Sequence, residues 1–370
     1  MQETFGARWD ARSTRGFDYL RIGLAVAVVV HHAFQASYGG QAFVGLPNIV
    51  WIPIGFVLPS FFALSGFLVA SSLVRCRTIE GFVTLRALRL LPALAVEVLL
   101  AALVIGPLLT TLPLDQYFSD EMFHRYFRNI LGQIHFELPG LFADNPEPRI
   151  VNISLWTVPY ELQCYLVLIG LSVIGLIARR GRFLVALLSL LVILPAIDLA
   201  SGTFFRPLAI VPGSVLVAAF LAGIGAFLYR DRIPTDPRLL ALALGASAIS
   251  LSAPALQYFC FIPVAYVTVW LGLTNPPRNW LIESGDYSYG IYLFAFPIQQ
   301  MIASAPWARE WWINVGLTLP LSFAYAMFSW HIVEAPILRR KRGVVALAEQ
   351  LGATLRRPFA ARTPAIPAQS

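Results

Sequence analysis

Charge is scarce in this sequence. Asp, Glu, Lys and Arg make up 13% of the 370 residues, about half of the ~25% usual in soluble domains. With 58% hydrophobic residues, that shortage excludes an ordinary soluble domain. Lysine is almost missing: Lys341 is the single one, so arginine carries the net charge of +7. That charge is not a nucleic-acid footprint, because most Lys and Arg fall in segments expected on one side of a membrane, the positive-inside pattern. Cysteine is limited to Cys76, Cys164 and Cys260, whose spacing excludes a disulfide framework and points to no metal site. There is no Walker-type glycine loop, no Ser–His–Asp pattern and no metal-ligand spacing. An internal repeat, the usual pointer to a secondary transporter, is also missing.

Long apolar runs are what the chain has. A crossing needs about 20 mostly apolar residues, and ten runs qualify, near 18–37, 51–74, 93–112, 153–177, 183–200, 209–229, 238–254, 256–274, 287–304 and 312–334. The expected fold is all-α: a polytopic membrane bundle of about ten transmembrane helices with both termini cytoplasmic. Residues 1–17 form a basic cytoplasmic leader, 18–342 the transmembrane domain and 343–370 an unordered, Ala/Arg/Pro-rich cytoplasmic tail. Residues 75–92 read as a separate amphipathic helix on the inner surface. The stretch 113–150 is the longest outer loop, and a shorter outer loop carries Arg206.

Phe17 to Ser37, FDYLRIGLAVAVVVHHAFQAS, holds ionisable groups where they are costly, and such residues default to function. At about 100° per residue, Arg21 and His32 lie within about 20° of one another and about 16 Å apart along the axis. Asp18 shares their side, whereas His31 points about 80° away. One stripe thus joins an acid and a base at the inner end to an imidazole deep in the span. The alternative is a cleavable signal peptide with Arg8, Arg12 and Arg15 as its basic region.

Further candidates follow along the chain. Arg86 and Arg89 form R-x-x-R on one helical face, flanked by Arg75 and Arg77. Arginine suits bidentate phosphate contacts, although positive-inside topology and anionic lipid also account for basic loops. In FFALSGFL, Ser65 and Gly66 allow close approach of a thin ligand or of another helix. NISLWTVPYELQ brings Trp156, Tyr160 and Glu161 to the outer start of a span. Glu161 is within reach of His32 in the expected topology; a carboxylate on one imidazole nitrogen makes the other a better base. A purely structural Glu161 is the competing reading. Glu97 is expected to pair with an Arg of the inner cluster. Asp286, Tyr289 and Tyr292 in GDYSYGIYL, and Glu334 before Pro336, carry polar groups at the inner edge, where capping alone also explains the acids.

In this order the motifs resemble acyltransferase family 3, the membrane O-acyltransferases that modify sugars of bacterial surface and exported glycans. The resemblance spans about residues 16–340 and rests on R-x10-H (Arg21, His32), FFALSGFL, R-x-x-R (Arg86, Arg89), SLWTVPYE ending at Glu161, GDYSYGIYL and E-x-P (Glu334, Pro336). It implies acyl transfer, usually acetyl, from cytosolic acetyl-CoA or another acyl-CoA to a sugar hydroxyl at the outer face of the bacterial inner membrane. Catalysis falls to His32 with Glu161, and acyl-CoA binding to Arg86, Arg89, Arg21 and Ser65. Supporting places fall to Asp18, Trp156, Tyr160, Asp286, Tyr289, Tyr292 and Glu334, with no metal. The partners implied are a glycan or lipid-linked saccharide acceptor and membrane lipids. One departure is visible: Ala295 stands where the family often has a histidine, so no role of that histidine carries over. Two competing classes remain at this point, a transporter or flippase for a lipid-linked sugar or small metabolite and a membrane scaffold.

Overall fold

The computed structural model describes residues 3–12, 14–43, 46–76, 78–202 and 211–360; Arg77, Arg206 and the end of the tail, 361–370, lie outside them. Among the described residues the chain is helical and has no strand, only two isolated β-bridges. The ten apolar runs each coincide with a helix: α1 Arg15–Tyr38, α2 Asn48–Arg75, α3 Ile79–Leu100, α4 Val158–Val173, α5 Arg180–Ala200, α6 Gly213–Leu228, α7 Pro237–Ser250, α8 Phe261–Gly272, α9 Ser288–Ala303 and α10 Trp311–Phe328. A last helix, α11, covers Lys341–Ala360. Five are long and apolar enough to cross a membrane: α1, α2, α3 with its extension to Leu109, α5, and α10 with its extension to Arg339. The chain is a membrane protein.

Two boundaries differ from the sequence expectation. The separate surface helix at 75–92 does not exist. The Thr78 hydroxyl accepts from the Gly81 N–H at 3.1 Å, and α3 runs from there through Pro92 into the apolar run. A membrane helix tolerates such a proline because neighbours re-satisfy the freed backbone groups. Arg86 and Arg89 therefore sit inside a long helix, not in a surface loop. The tail, expected to be unordered, instead forms α11 up to Ala360. Its residues alternate between polar and apolar faces at helical spacing, and Thr78 Oγ1 donates to Glu349 Oε1 at 2.6 Å, tying α11 to the start of α3.

Small residues decide the closest helix contact. A Cβ on Gly66 of α2 would run into the Phe220 carbonyl oxygen of α6, and one on Gly223 of α6 into the Ala63 carbonyl oxygen of α2. Glycines at both points let the two backbones touch. Phe67, wholly buried, fills the space beside this contact, with its ring centroid 5.5 Å from that of Phe17 of α1. α3 carries a π-turn at Ala101–Ile105, which frees backbone carbonyls. The buried Tyr117 of the long loop after α3 donates its hydroxyl to the Ala102 carbonyl at 2.7 Å and so seats that loop on the bundle. α1 lies against α2, α8, α9 and α10, which puts its polar stripe inside.

Candidate active site

The first turns of α1 are held by a charge cluster drawn from four parts of the chain. Arg21 Nη1 is 3.6 Å from Asp18 Oδ1 and 3.1 Å from Asp286 Oδ2. Arg89 Nη2 bonds the same Asp286 oxygen at 2.5 Å, and its Nη1 is 3.7 Å from Glu334 Oε2. Ser288 donates to Asp286 Oδ1 at 2.7 Å and Ser329 to Glu334 Oε1 at 3.0 Å. Asp286 sits in the turn before α9. Burial pushes its carboxyl upward, but Arg89 and Arg21 outweigh burial and hold it at about 2, so it stays ionised as their counter-ion. Both acids do more than cap a helix: they absorb the charge of Arg21 and Arg89.

Arg86 is treated differently. Its polar contact among the described residues is Nη2 to Ser72 Oγ at 3.4 Å; its buried Nε has no hydrogen-bond partner. It lines a cavity of about 170 Å³ together with Arg21, Arg89, Ser65, Glu161 and Tyr289. The wall is otherwise largely apolar, with Phe61, Phe62 and Leu68 from α2. Among the described residues Arg86 has no ion pair; Glu161, on the same cavity wall, acts on it only at longer range, so its guanidinium keeps donors for an anion in a mostly apolar cavity.

His32 lies outside the lining of this cavity. It is buried, 8% exposed, with its ring edge-on to Phe296 of α9 at 5.4 Å. Phe296 is one helical turn beyond Tyr292, and Tyr292 lines the cavity. The Tyr292 hydroxyl is 2.7 Å from Thr157 Oγ1 and donates to the Ser154 carbonyl at 3.1 Å. Ser154 Oγ in turn is 3.4 Å from His32 Nδ1. The imidazole is thus one layer past the cavity, and Tyr292, Thr157 and Ser154 form the layer between. His31 packs on Phe43, with ring centroids 5.0 Å apart.

The comparisons can be set beside this geometry. The sequence profile of acyltransferase family 3, described as an acyltransferase domain, matches residues 14–331. The chain belongs to acyltransferase family 3. Among similar proteins is an O-acetyl transferase of Shigella phage Sf6, 26% identical over 354 residues, covering 90% of this chain and 98% of that one. Another is Nodulation protein 10 of Rhizobium leguminosarum bv. viciae, 26% identical over 356 residues, covering 89% and 95%. No solved structure matches. The protein is an acyltransferase, and the stripe, the R-x-x-R and the cavity all fall within the matched range.

In this family 3 acyltransferase several expected contacts are absent. Glu161 does not meet His32. Its Oε1 accepts from Tyr165 OH at 2.5 Å, and it lines the cavity with Arg86 and Arg89. A 3-10 turn, Ile153–Thr157, precedes α4 and turns the first residues of the helix away from the phase that a single helix from Ile153 would have. Among the described residues Glu97 meets no arginine; Asn152 Nδ2 donates to its Oε1 at 2.7 Å. Trp156 and Tyr160 stand outside the cavity lining. Their rings meet edge to face at 5.8 Å, and Tyr160 covers Gly213 at the start of α6. Tyr289 lines the cavity, with its hydroxyl 3.4 Å from the Leu90 carbonyl. Ala295 is buried against Ala25 and Val29 of α1.

Sequence reasoning missed Ser154, Asn152, Thr157 and Tyr165. The first three lie in NISLWTVP, a stretch already singled out, but short polar residues at a helix start read as caps. Asn152 is indeed one, accepting from the Ser154 N–H at 3.0 Å. Tyr165, one turn after Glu161, was readable as an i,i+4 partner.

Proposed function

We propose that this acyltransferase moves an acyl group, acetyl in the first instance, from a cytosolic acyl-CoA to a sugar hydroxyl of an exported or surface glycan. Its setting is the bacterial inner membrane, with both termini cytoplasmic and the shorter apolar helices completing about ten crossings. The observation that carries the reading is the pairing of Arg86, which has no ion pair among the described residues and lines a mostly apolar cavity, with an imidazole one layer beyond it. A coenzyme A thioester has that form: phosphates at one end, a thin flexible arm, and a reactive carbonyl at the other. The relative from Shigella phage Sf6 is named an O-acetyl transferase, which supports oxygen as the acceptor atom and acetyl as the group.

In the reaction, Arg86 takes donor phosphate, and Arg21 and Arg89 give the site its shape rather than their charge. Ser65 lines the path of the arm. The acceptor hydroxyl adds to the thioester carbonyl while His32 takes its proton. The C–S bond then breaks, and the leaving thiolate recovers the proton from the imidazolium. Glu161, held by Tyr165, belongs to the donor cavity in this scheme. Two tests apply. Membranes carrying wild-type protein should transfer label from acetyl-CoA to glycan, and His32→Ala membranes with equal protein should not; transfer by His32→Ala would refute the base. Cysteine labelling at residues 130 and 340 should place them on opposite sides, and labelling of both from one side would refute the topology.

A further inference from the structure

The Ser154 backbone, whose side chain faces His32, is held on both sides. Its N–H donates to Asn152 Oδ1 at 3.0 Å. Its carbonyl accepts from Tyr292 OH at 3.1 Å and Thr157 Oγ1 at 3.3 Å. Asn152 uses its whole amide: Oδ1 accepts from Ser154, and Nδ2 donates to Glu97 Oε1 and to the Leu293 carbonyl, each at 2.7 Å. Two acceptors on one side and a donor on the other allow only this orientation of the amide. Glu97, Asn152 and Ser154 are each 0% exposed. A continuous buried chain therefore runs from α3, through the turn before α4, to α1: Glu97, Asn152, Ser154, His32.

A fully buried polar chain in a membrane bundle is costly unless its members are satisfied. An apolar set of the same shape would pack this junction more cheaply. What the polar set adds is position: it holds the Ser154 backbone so that Oγ meets one ring nitrogen of one imidazole, with donor and acceptor in that contact following the tautomer. Among the described residues His32 Nε2 has no hydrogen-bond partner, while Nδ1 faces Ser154 Oγ. Histidine can act as a base only at the nitrogen without a proton, and the hydrogen bond of the other nitrogen decides which that is.

We propose that Ser154, anchored by Asn152 and Glu97, is the positioning residue for His32: its Oγ accepts Nδ1–H and leaves the Nε2 lone pair free to take the proton of the acceptor hydroxyl. This rests on His32 being the base. Ser154 itself lies behind Tyr292 and outside the cavity lining, so it acts through His32 rather than on the donor.

The direct test is 15N NMR of histidine-labelled full-length protein in nanodiscs, with the His32 signal identified by its loss in His32→Gln. The expected result is a neutral ring protonated at Nδ1 in wild type and redistributed between the two nitrogens in Ser154→Ala. A wild-type ring protonated at Nε2, or one unchanged in Ser154→Ala, overturns the proposal. Neither readout needs an acceptor or a functioning enzyme, and the wild-type spectrum decides the tautomer even where Ser154→Ala does not accumulate. Acetyl transfer separates the two levels of the argument. General-base catalysis is worth ~10²–10⁴-fold, so Ser154→Ala should lose about 10- to 100-fold in kcat with KM for acetyl-CoA unchanged. If His32→Ala is inactive and Ser154→Ala has the wild-type kcat, the positioning role fails and the base stands. If His32→Ala is active, the base itself fails.

Discussion

Arg86 and Arg89 stand one turn apart on α3 with opposite electrostatic fates. Arg89 is bonded to Asp286 at 2.5 Å and faces Glu334 at 3.7 Å, while Arg86 has no ion pair among the described residues, its guanidinium lying over Phe82 and 3.4 Å from Ser72 Oγ. The two halves of the R-x-x-R are therefore not equivalent. One closes an ion-pair clamp and the other, lining the cavity without an ion pair among the described residues, is the proposed donor contact.

That division predicts different phenotypes. Arg86→Ala should leave the protein folded and weaken acyl-CoA binding by roughly 10- to 150-fold, the worth of a hydrogen bond to a charged group, read by calorimetry with a non-hydrolysable acyl-CoA. Arg89→Ala should instead destabilise, since it leaves the buried Glu334 without its arginine and Asp286 with Arg21 alone, and breaking a buried pair costs about 3–5 kcal/mol. A lower Tm in detergent is the readout, and equal effects of the two substitutions on both readouts would contradict the division.

Asp286 gives a pH prediction. Its carboxyl is held at about 2, below the ~3.9 of an unfolded aspartate. A depressed carboxyl contributes stability above the unfolded value and loses it as pH falls through the folded value. The Tm difference between wild type and Asp286→Asn should therefore be constant from pH 5 to 8, on the plateau set by these values, and shrink only as pH drops from ~4 towards ~2. A difference that varies near neutral pH would contradict it.

The contact of α2 with α6 makes a packing prediction. Gly66→Ala places a methyl group against the Phe220 carbonyl, and overpacking of this kind costs about 1–3 kcal/mol. Gly316→Ala, with open space around its Cβ position, should be tolerated, and a thermal melt of the two variants distinguishes them.

Much of this architecture could be read from the residues. The apolar runs locate the helices because a crossing imposes a length, and the Arg21–His32 stripe follows from helical periodicity within one segment. Partners across the chain were not readable. Arg21 and Asp286 are 265 positions apart, and no periodicity reports which helices meet. Glu161 illustrates the limit, because its distance from His32 depended on the phase of α4, which the preceding 3-10 turn resets. Ser154 was hidden for another reason: a serine beside a helix start looks like a cap until a neighbouring helix brings His32 to it. The order of α11 came from its docking on α3 through Thr78 and Glu349, which the composition of the tail does not encode.

The proposed role of His32 as base for acyl transfer to a surface glycan is open to a direct test. Mass spectrometry of surface glycans from a deletion strain, complemented with wild type or with His32→Ala at matched membrane abundance, tests it most directly. The account predicts acetylated glycan with wild type and none with His32→Ala. Equal acetylation in the two complemented strains would contradict it, as would unchanged glycan in the deletion strain.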